Sequence, residues 1–232
     1  MTYSRLAAVR LGLLAIAAAI PLAPASAQLV VSNLVVDLLA GKDSKQDVEV
    51  WNNSADRAYV AIEPAEVMNP GTGAEARRTD PDPEKLGLLV SPSRMILDPG
   101  QRKLIRIVEI TPPADREHVY RVTVKPVAGQ IATEQSGLKV LIGYDVLVLS
   151  RPAQPQASII ATRSGDTMTF RNDGNVSVEL EDGRQCDASG KSCADLQGKR
   201  LYAGARWSVQ VRPGYRPEYT LRSPGQTLRK AF

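Results

Sequence analysis

The sequence predicts an all-β fold built from two Ig-like β-sandwich domains in tandem, after a segment that is removed on export. Short segments rich in Val, Ile and Leu recur from residue 29 onward, and clusters of Gly, Pro and Asn separate them. No long amphipathic helical pattern lies between these segments. Strands spaced in this way are typical of sandwiches. A proline-containing break after residue 150 divides the chain in two.

The N-terminus has the features of an export signal. Arg5 and Arg10 give a positive start, an apolar stretch covers 11–23, and the small residues 25–27 fit the pattern that signal peptidase cleaves. The apolar stretch is shorter than the roughly 20 residues that a membrane-spanning helix needs. We therefore expect a signal peptide over 1–27, an exported mature chain and no membrane insertion.

The first domain is predicted over 28–150. Its apolar segments are too short for core helices and suit strands; they are Leu29–Leu39, Asp47–Trp51, Ala58–Ile62, Lys103–Ile110 and Val119–Val124. Turn-forming residues separate them, for example Asn52-Asn53-Ser54 and Asp98-Pro99-Gly100. The polar stretch 69–84, which contains Pro and Gly, predicts a mobile loop.

The second domain is predicted over 151–232. Arg151-Pro152-Ala153-Gln154-Pro155 interrupts any strand, because each proline lacks an N–H and restricts the residue before it. Strand-like segments then resume at Ser158–Thr162, Thr167–Arg171, Val176–Leu180 and Trp207–Val211. Turns such as Asn172-Asp173-Gly174 lie between them. This second series of short strands predicts another sandwich.

Composition argues against an enzyme, a metal or cofactor site, and a nucleic-acid-binding protein. His118 is the single histidine and no nucleophile has a recognisable catalytic setting, so no catalytic residue is assigned. The net charge of +4 comes without a basic stripe interleaved with aromatic residues. Cys186 and Cys193 are expected to form a disulfide in an oxidising compartment, with free thiols as the alternative. A zinc site would need further ligands that do not lie nearby.

The segment Leu138–Leu149 points most directly to function. Its only charged residues are Lys139 and Asp145, and both of its alternating faces are largely apolar. One interpretation is a central strand that is covered on both faces. The other is a strand lent to the open sheet of another protein, where main-chain hydrogen bonds give affinity and alternate side chains fill pockets. Periodicity alone favours the first interpretation.

A resemblance to a known family favours the second interpretation. Residues 89–106 run from Leu89-Val90-Ser91-Pro92 through a Pro-Gly turn to Arg106, and they resemble the signature of the PapD-like periplasmic chaperones of chaperone–usher pili. Residues 116–124 resemble the strand that follows in this family. Residues 138–149, with Arg151-Pro152 after them, resemble its donor strand and interdomain linker.

The resemblance implies a periplasmic pilus-assembly chaperone with a cleft between its two domains and no cofactor or metal. The donor strand would present Leu138, Val140 and Ile142 to pilus or fimbrial subunits, whose own fold lacks its last strand. The chaperone would pass the bound subunit to an outer-membrane usher. Without a subunit, the protein could cover its own donor strand by forming a homodimer. The alternative is a periplasmic structural or adaptor protein that uses the same fold.

Two positions depart from the family pattern. The family anchors the C-terminal carboxylate of the pilus subunit with an Arg in the first strand and a Lys in the donor strand, both in the cleft. These positions fall on Val36 and Leu147, which cannot form a charge-assisted hydrogen bond to a carboxylate. The nearby Asp37 and Asp145 carry the wrong charge. The resemblance therefore implies either a divergent branch that anchors its client differently or a fold that has lost this mode of binding.

Overall fold

The computed structural model describes residues 29–40, 44–127 and 141–232. Within these ranges the chain forms two β-sandwiches, each made of two sheets. The prediction of an all-β fold with two Ig-like domains in tandem is confirmed. The predicted signal peptide, 1–27, lies outside the described residues. In the part of the chain that is described, no helix is long and apolar enough to cross a membrane.

The first sandwich is built from strands and one short helix. In chain order its elements are β1 (Leu29–Val31), β2 (Val35–Leu39), β3 (Lys45–Asn52), β4 (Ala58–Met68), β5 (Ala76–Arg78), α1 (Pro83–Leu86), β6 (Leu88–Ser91), β7 (Arg94–Leu97), β8 (Arg102–Glu109), β9 (His118–Val127) and β10 (Tyr144–Arg151). One sheet has the order β1-β3-β8-β6. The other has the order β2-β10-β9-β4-β5, with β7 also paired to β4.

The core of the first sandwich lies between these two sheets, where alternate side chains of each strand point inward. In β8 the inward residues Ile105 and Ile107 are buried, whereas the neighbouring Leu104 and Arg106 are exposed. This period of two is the one that a strand with one buried face requires. Val119–Val124, which was predicted as a strand, lies in β9, where Tyr120, Val122 and Val124 face the core.

Strand β10 lies between β9 and β2. It runs antiparallel to β9 from Tyr144 to Ser150, and its residues Leu147–Arg151 pair in parallel with Val35–Leu39 of β2. Because β2 begins at Val35, only β9 pairs with Tyr144–Val146 within the described residues. The first part of β10 therefore has one edge that no described strand covers.

A buried asparagine ends a strand in each sandwich. Asn52 donates from its side-chain nitrogen to the carbonyls of Asp56 (2.6 Å) and Leu97 (3.1 Å), and its side-chain oxygen accepts from the amide of Ser54 (3.0 Å). Asn172 makes the equivalent set of bonds in the second sandwich. An Asn side chain that holds its own turn in this way satisfies backbone groups that the turn would otherwise leave unpaired.

Residues 69–75 form turns, as in the predicted loop, but β5 and the start of α1 also lie within 69–84. β5 pairs with the end of β4, and α1 follows with Asp82 as its N-cap, whose side chain accepts from the amide of Glu84 (3.0 Å). Pro83 occupies the start of the helix, and Gly87 ends it with a φ of 85°. Pro83, one of the residues that suggested a loop, thus stands at the start of a helix, and Gly87, which lies beyond 69–84, ends it, as these residues commonly do.

The second sandwich has two sheets with the orders β11-β12-β16 and β14-β13-β17-β18, and β15 also pairs with β13. Its strands are β11 (Ile159–Ser164), β12 (Thr167–Asn172), β13 (Val178–Cys186), β14 (Cys193–Leu196), β15 (Lys199–Leu201), β16 (Arg206–Gln210), β17 (Arg216–Ser223) and β18 (Gln226–Ala231). The ring of Phe170 lies at the centre of its core, stacked with Trp207 and edge-on to Tyr219.

A disulfide joins Cys186 and Cys193, with an S–S distance of 2.05 Å. The two residues face each other at the end of the hairpin formed by β13 and β14. The predicted pairing is confirmed. An export route into an oxidising compartment is consistent with it.

Candidate functional site

The core-facing row of β10 continues beyond the core of the first sandwich. Val148 and Val146 are 0% and 1% exposed, Tyr144 is partly buried at the edge of the core, and Ile142 is 55% exposed. These side chains lie two residues apart and therefore belong to one face of the strand. The row thus ends at Ile142, whose large apolar side chain lies in solvent beside the edge of β10 that no described strand covers.

Ile142 is the one predicted donor residue that the structure describes. Leu138 and Val140 lie outside the described residues, so their placement stays a prediction. Exposed Ile142 lies just before β10, in a segment without a described neighbour on the β2 side. An open strand edge is a feature that proteins usually cover, and Ile142 places an apolar side chain beside it.

The opposite face of β10 contacts the second sandwich. Leu147 is 5% exposed and Leu149 is fully buried, and both belong to an apolar cluster that includes Phe170 and Tyr202 of the second sandwich. Leu147 therefore lies at the junction of the two sandwiches, on the side where the cleft was expected. Its apolar side chain packs there against apolar neighbours.

Val36 differs from its expected position in the cleft. Its side chain is 1% exposed and belongs to the core of the first sandwich, together with its parallel neighbour Val148. Because side chains alternate along a strand, Val35 and Asp37 are the residues of β2 that point away from that core. The expectation that Val36 faces the cleft is thereby corrected, and Asp37 is the polar residue of β2 on the outer face.

Arg151 forms a buried ion-pair network at the end of β10. Its side chain is 3% exposed, and it donates from Nε to Asp37 Oδ1 (2.7 Å), from Nη1 to the carboxylate of Glu117, and from Nη1 to Ser177 Oγ (3.1 Å). Ser177 belongs to the second sandwich, so the network bridges the two. The backbone amide of Glu117 also donates to the carbonyl of Asn175 (3.0 Å).

Burial raises the pKa of the Glu117 carboxyl, while the charge of Arg151 acts in the opposite direction. One oxygen of this carboxylate, Oε1, is buried without a hydrogen-bond partner among the described residues. A buried carboxylate with an unpaired oxygen depends strongly on the cation beside it. The ion pair between Glu117 and Arg151 therefore connects the end of β10 to the junction of the two sandwiches.

A second charged cluster surrounds Asp145 on the outer face of β10. Arg77 of β5 donates to both carboxylate oxygens (3.2 and 2.5 Å), and Thr123 of β9 donates its hydroxyl to Oδ1 (3.0 Å). Arg121 of β9 donates to the backbone carbonyl of Asp145 (3.2 Å). Arg77, Arg121 and Arg151 are basic side chains beside β10, and each already contacts an acidic residue of the same chain.

Sequence reasoning missed the roles of Asp145, Glu117 and Arg151. The sequence identified Asp145 only as a residue of the wrong charge and Arg151 only as part of a linker. Their partners lie 22 to 114 positions away in sequence and come together through the sheets. No local pattern marks such pairs.

Comparisons with known proteins agree with the fold described above. Residues 28–156 match the family model described as pili and flagellar-assembly chaperone, PapD N-terminal domain. The chain is 27% identical over 180 residues to a CS1 fimbrial subunit from Escherichia coli, which covers 72% of this chain and 75% of that protein. It is 31% identical over 150 residues to a CFA/I fimbrial subunit from Escherichia coli, which covers 61% of this chain and 62% of that protein, slightly less than two thirds.

Solved structures of fimbrial chaperones have the same architecture. The class 5 fimbriae chaperone CfaA is 26% identical, with a TM-score of 0.66 over 88% of this chain and 98% of that one. A chain of a chaperone–tip adhesin complex of CFA/I fimbriae biogenesis is also 26% identical, with a TM-score of 0.63 and the same coverage. The periplasmic chaperone SfaE, at 16% identity and a TM-score of 0.60, shows the common fold alone.

The family model covers more than half of the chain, including β10 and the first part of the linker. The structural match extends over both sandwiches. The protein belongs to the family of PapD-like chaperones of pilus and flagellar assembly.

Proposed function

We propose that this chaperone binds fimbrial subunits in the periplasm by lending them the edge of its strand β10. The observation that supports the proposal is the exposed Ile142 at the end of the core-facing row, beside an edge that β2 does not cover. The proposal assigns this role to the first domain, taken as 28–150. The second domain, taken as 151–232, packs behind the strand through Leu147 and Leu149.

The physical basis is the completion of an open sheet. A fold that lacks a strand exposes unpaired backbone groups and an apolar groove, which promote aggregation. An added strand supplies main-chain hydrogen bonds, and its alternate side chains enter the groove. Full burial of one large aliphatic side chain contributes about 1.5–3 kcal/mol. Ile142, with Leu138 and Val140 as the further predicted donors, would supply the binding free energy without a cofactor.

Release to an outer-membrane usher is the second half of the proposal. A subunit held by a borrowed strand stays folded but cannot yet join a fibre, so it needs a transfer step at the membrane. Related chains that are named for fimbriae, and a chaperone solved with a tip adhesin, support fimbrial subunits as the partners. The disulfide in the second sandwich is consistent with an oxidising compartment such as the periplasm.

Co-expression tests the proposal. The full chain would be exported to the periplasm together with a fimbrial subunit, and the soluble fraction would be purified through a tag on the chain. We expect an equimolar complex, and we expect loss of the subunit to aggregation or proteolysis when the chain is omitted. A subunit that accumulates equally well without the chain, and does not co-purify with it, would contradict the proposal.

Binding is expected to depend little on the terminal carboxylate of the subunit. The family's basic positions hold Val36 and Leu147, and the arginines around β10 already contact Asp145, Asp37 or Glu117. Amidation of a peptide from the C-terminus of the subunit should therefore weaken binding by less than about 1 kcal/mol, below the roughly 1.5–3 kcal/mol of a hydrogen bond to a charged group. Isothermal titration of the free-acid and amide peptides measures the difference. A larger loss would show that one arginine exchanges its partner for the subunit.

A further inference from the structure

The hydrophobic pattern of residues 141–149, which include the start of β10, does little to fix how β10 is aligned with its neighbouring strands. Residues 141–149 are apolar on both alternating faces, with Leu141, Leu147 and Leu149 on one side and Ile142, Val146 and Val148 on the other. A hydrophobic pattern fixes register only where the two faces of a strand differ, because a slip of one residue exchanges them. Asp145 is the single charged side chain in this stretch.

The side chain of Asp145 binds the start of β10 to its neighbours, in addition to the hydroxyl of Tyr144, which donates to the carbonyl of Leu29 (2.9 Å). Thr123 lies directly opposite it in β9 and donates to its carboxylate (3.0 Å), and Arg77 reaches it from β5 with two hydrogen bonds (3.2 and 2.5 Å). The side chains of Arg77 and Asp145 are 47% and 39% exposed. Asp145 is therefore well placed for these contacts on the outer face of the sheet in the observed register.

A slip of β10 by one residue would move Asp145 into the row that faces the core. The present members of that row, Val146 and Val148, are almost completely buried. An ionised carboxylate without a partner is strongly disfavoured in such surroundings. The same slip would turn Ile142 away from the face that the proposed function offers to a subunit. The charge of Asp145 thus disfavours the slipped register, in which Ile142 would no longer face the subunit.

We propose that Asp145 is a positioning residue that fixes the register of the partner-binding half of β10, and that Arg77 and Thr123 act as its clamp. The other end of the strand needs no such device, because β2 covers it and Arg151 holds it through Asp37 and Glu117. The inference rests on the proposed function only in assuming that this half of the strand meets the subunit.

Two substitutions of Asp145 test separately its contacts with Arg77 and Thr123 and its effect on the register of β10. Asp145→Asn removes the charge of the clamp but keeps a polar side chain that belongs outside the core. Asp145→Leu makes the strand apolar on both faces and removes the penalty against slipping. Cross-strand NOEs between residues 144–146 and 122–124 in the free, labelled protein report the register, and amide exchange of residues 144–146 reports the strength of the clamp.

We expect one native set of NOEs for Asp145→Asn, with amide exchange faster by up to about tenfold, because exposed ion pairs contribute modestly. Arg77→Gln should give the same acceleration. Asp145→Leu should add a second set of NOEs that pairs β10 one residue out of register. A native NOE set in a folded Asp145→Leu variant would overturn the register role. Parent-like exchange in both Asp145→Asn and Arg77→Gln would overturn the clamp, even if the Leu variant failed to fold.

These measurements need only the free chaperone. The register result would therefore stand if the chain failed to bind fimbrial subunits, and binding of subunits by the parent would stand if the register result failed. If the register result and the binding of subunits are both obtained, Asp145→Leu should also weaken the binding of subunits, although this variant retains Ile142.

Discussion

Replacement of Ile142 by Lys should abolish the binding of fimbrial subunits and leave the chaperone folded. Ile142 is 55% exposed in the free protein, so an ammonium at this position stays in solvent until the complex forms. In the complex the same group would enter an apolar groove without a partner. We expect a loss of at least about 3 kcal/mol, or more than about a hundredfold in Kd. The free energy of unfolding should change by no more than about 0.5 kcal/mol, as for most surface substitutions.

Ile160→Lys is the matched control, because Ile160 is a similarly exposed isoleucine, at 45%, in the second sandwich. It introduces the same charge on a strand to which the proposal gives no role. Pull-down of the subunit and a thermal melt should be performed on both variants. An Ile142→Lys protein that binds subunits like the control would rule out this residue as a donor. A variant that melts far below the parent would identify Ile142 as an ordinary core residue.

Replacement of Arg151 by Ala should destabilise the folded protein by about 3–5 kcal/mol, the range seen when one partner of a buried ion pair is removed. Glu117 would then keep a buried carboxylate without its cation, and Asp37 would lose its partner as well. Chemical denaturation followed by fluorescence measures the change. Because the network extends to Ser177 in the second sandwich, contacts between the two sandwiches should weaken too.

The cost of Arg151→Ala should depend on pH. Burial already raises the pKa of Glu117 above its ordinary value of 4.5, and loss of the arginine would raise it further. A group with a raised pKa contributes stability that is present below its unfolded pKa and is lost as the pH rises through its folded pKa. The variant should therefore be closer to the parent at about pH 5 than at about pH 8.

Arg171→Ala provides the comparison for Arg151→Ala, since its pair with Asp173 is exposed. Exposed pairs contribute about 0–1 kcal/mol, so this variant should stay near the parent at both pH values. If Arg151→Ala costs no more than Arg171→Ala, the network at the end of β10 does not stabilise the junction of the sandwiches.

The fold was largely predictable because local signals and the tertiary structure agree. Asn52 and Asn172 each follow a run of alternating residues, and each holds its own turn through side-chain bonds in the structure. The stretch 69–84 was misjudged for the opposite reason. A proline such as Pro83 looks the same whether it opens a loop or a helix, and no local pattern announces the pairing of β5 with β4.

The site was less predictable because it depends on which face of a strand each side chain occupies and on contacts between residues that are distant in the sequence. Counting from turns assigned Val36 to a cleft position, but a shift of one residue changes the face of a strand, and Val36 lies in the core. Arg151 and Asp145 find partners on other strands that no sequence spacing connects. Periodicity alone favoured a strand that is covered on both faces, and only the resemblance to the chaperone family assigned Ile142 as a donor residue; the structure leaves its side chain exposed.

Amide hydrogen exchange in the complex with a fimbrial subunit tests the central claim most directly. Along an antiparallel strand, amides alternate between its two neighbours, so some amides of residues 141–146 point toward the edge that no described strand covers. If the subunit pairs with this edge, their exchange should slow by at least about a hundredfold in the complex, while exchange in the exposed terminal strand β18 should not change. Protection that appears at β18, with residues 141–146 exchanging as in the free protein, would contradict the account.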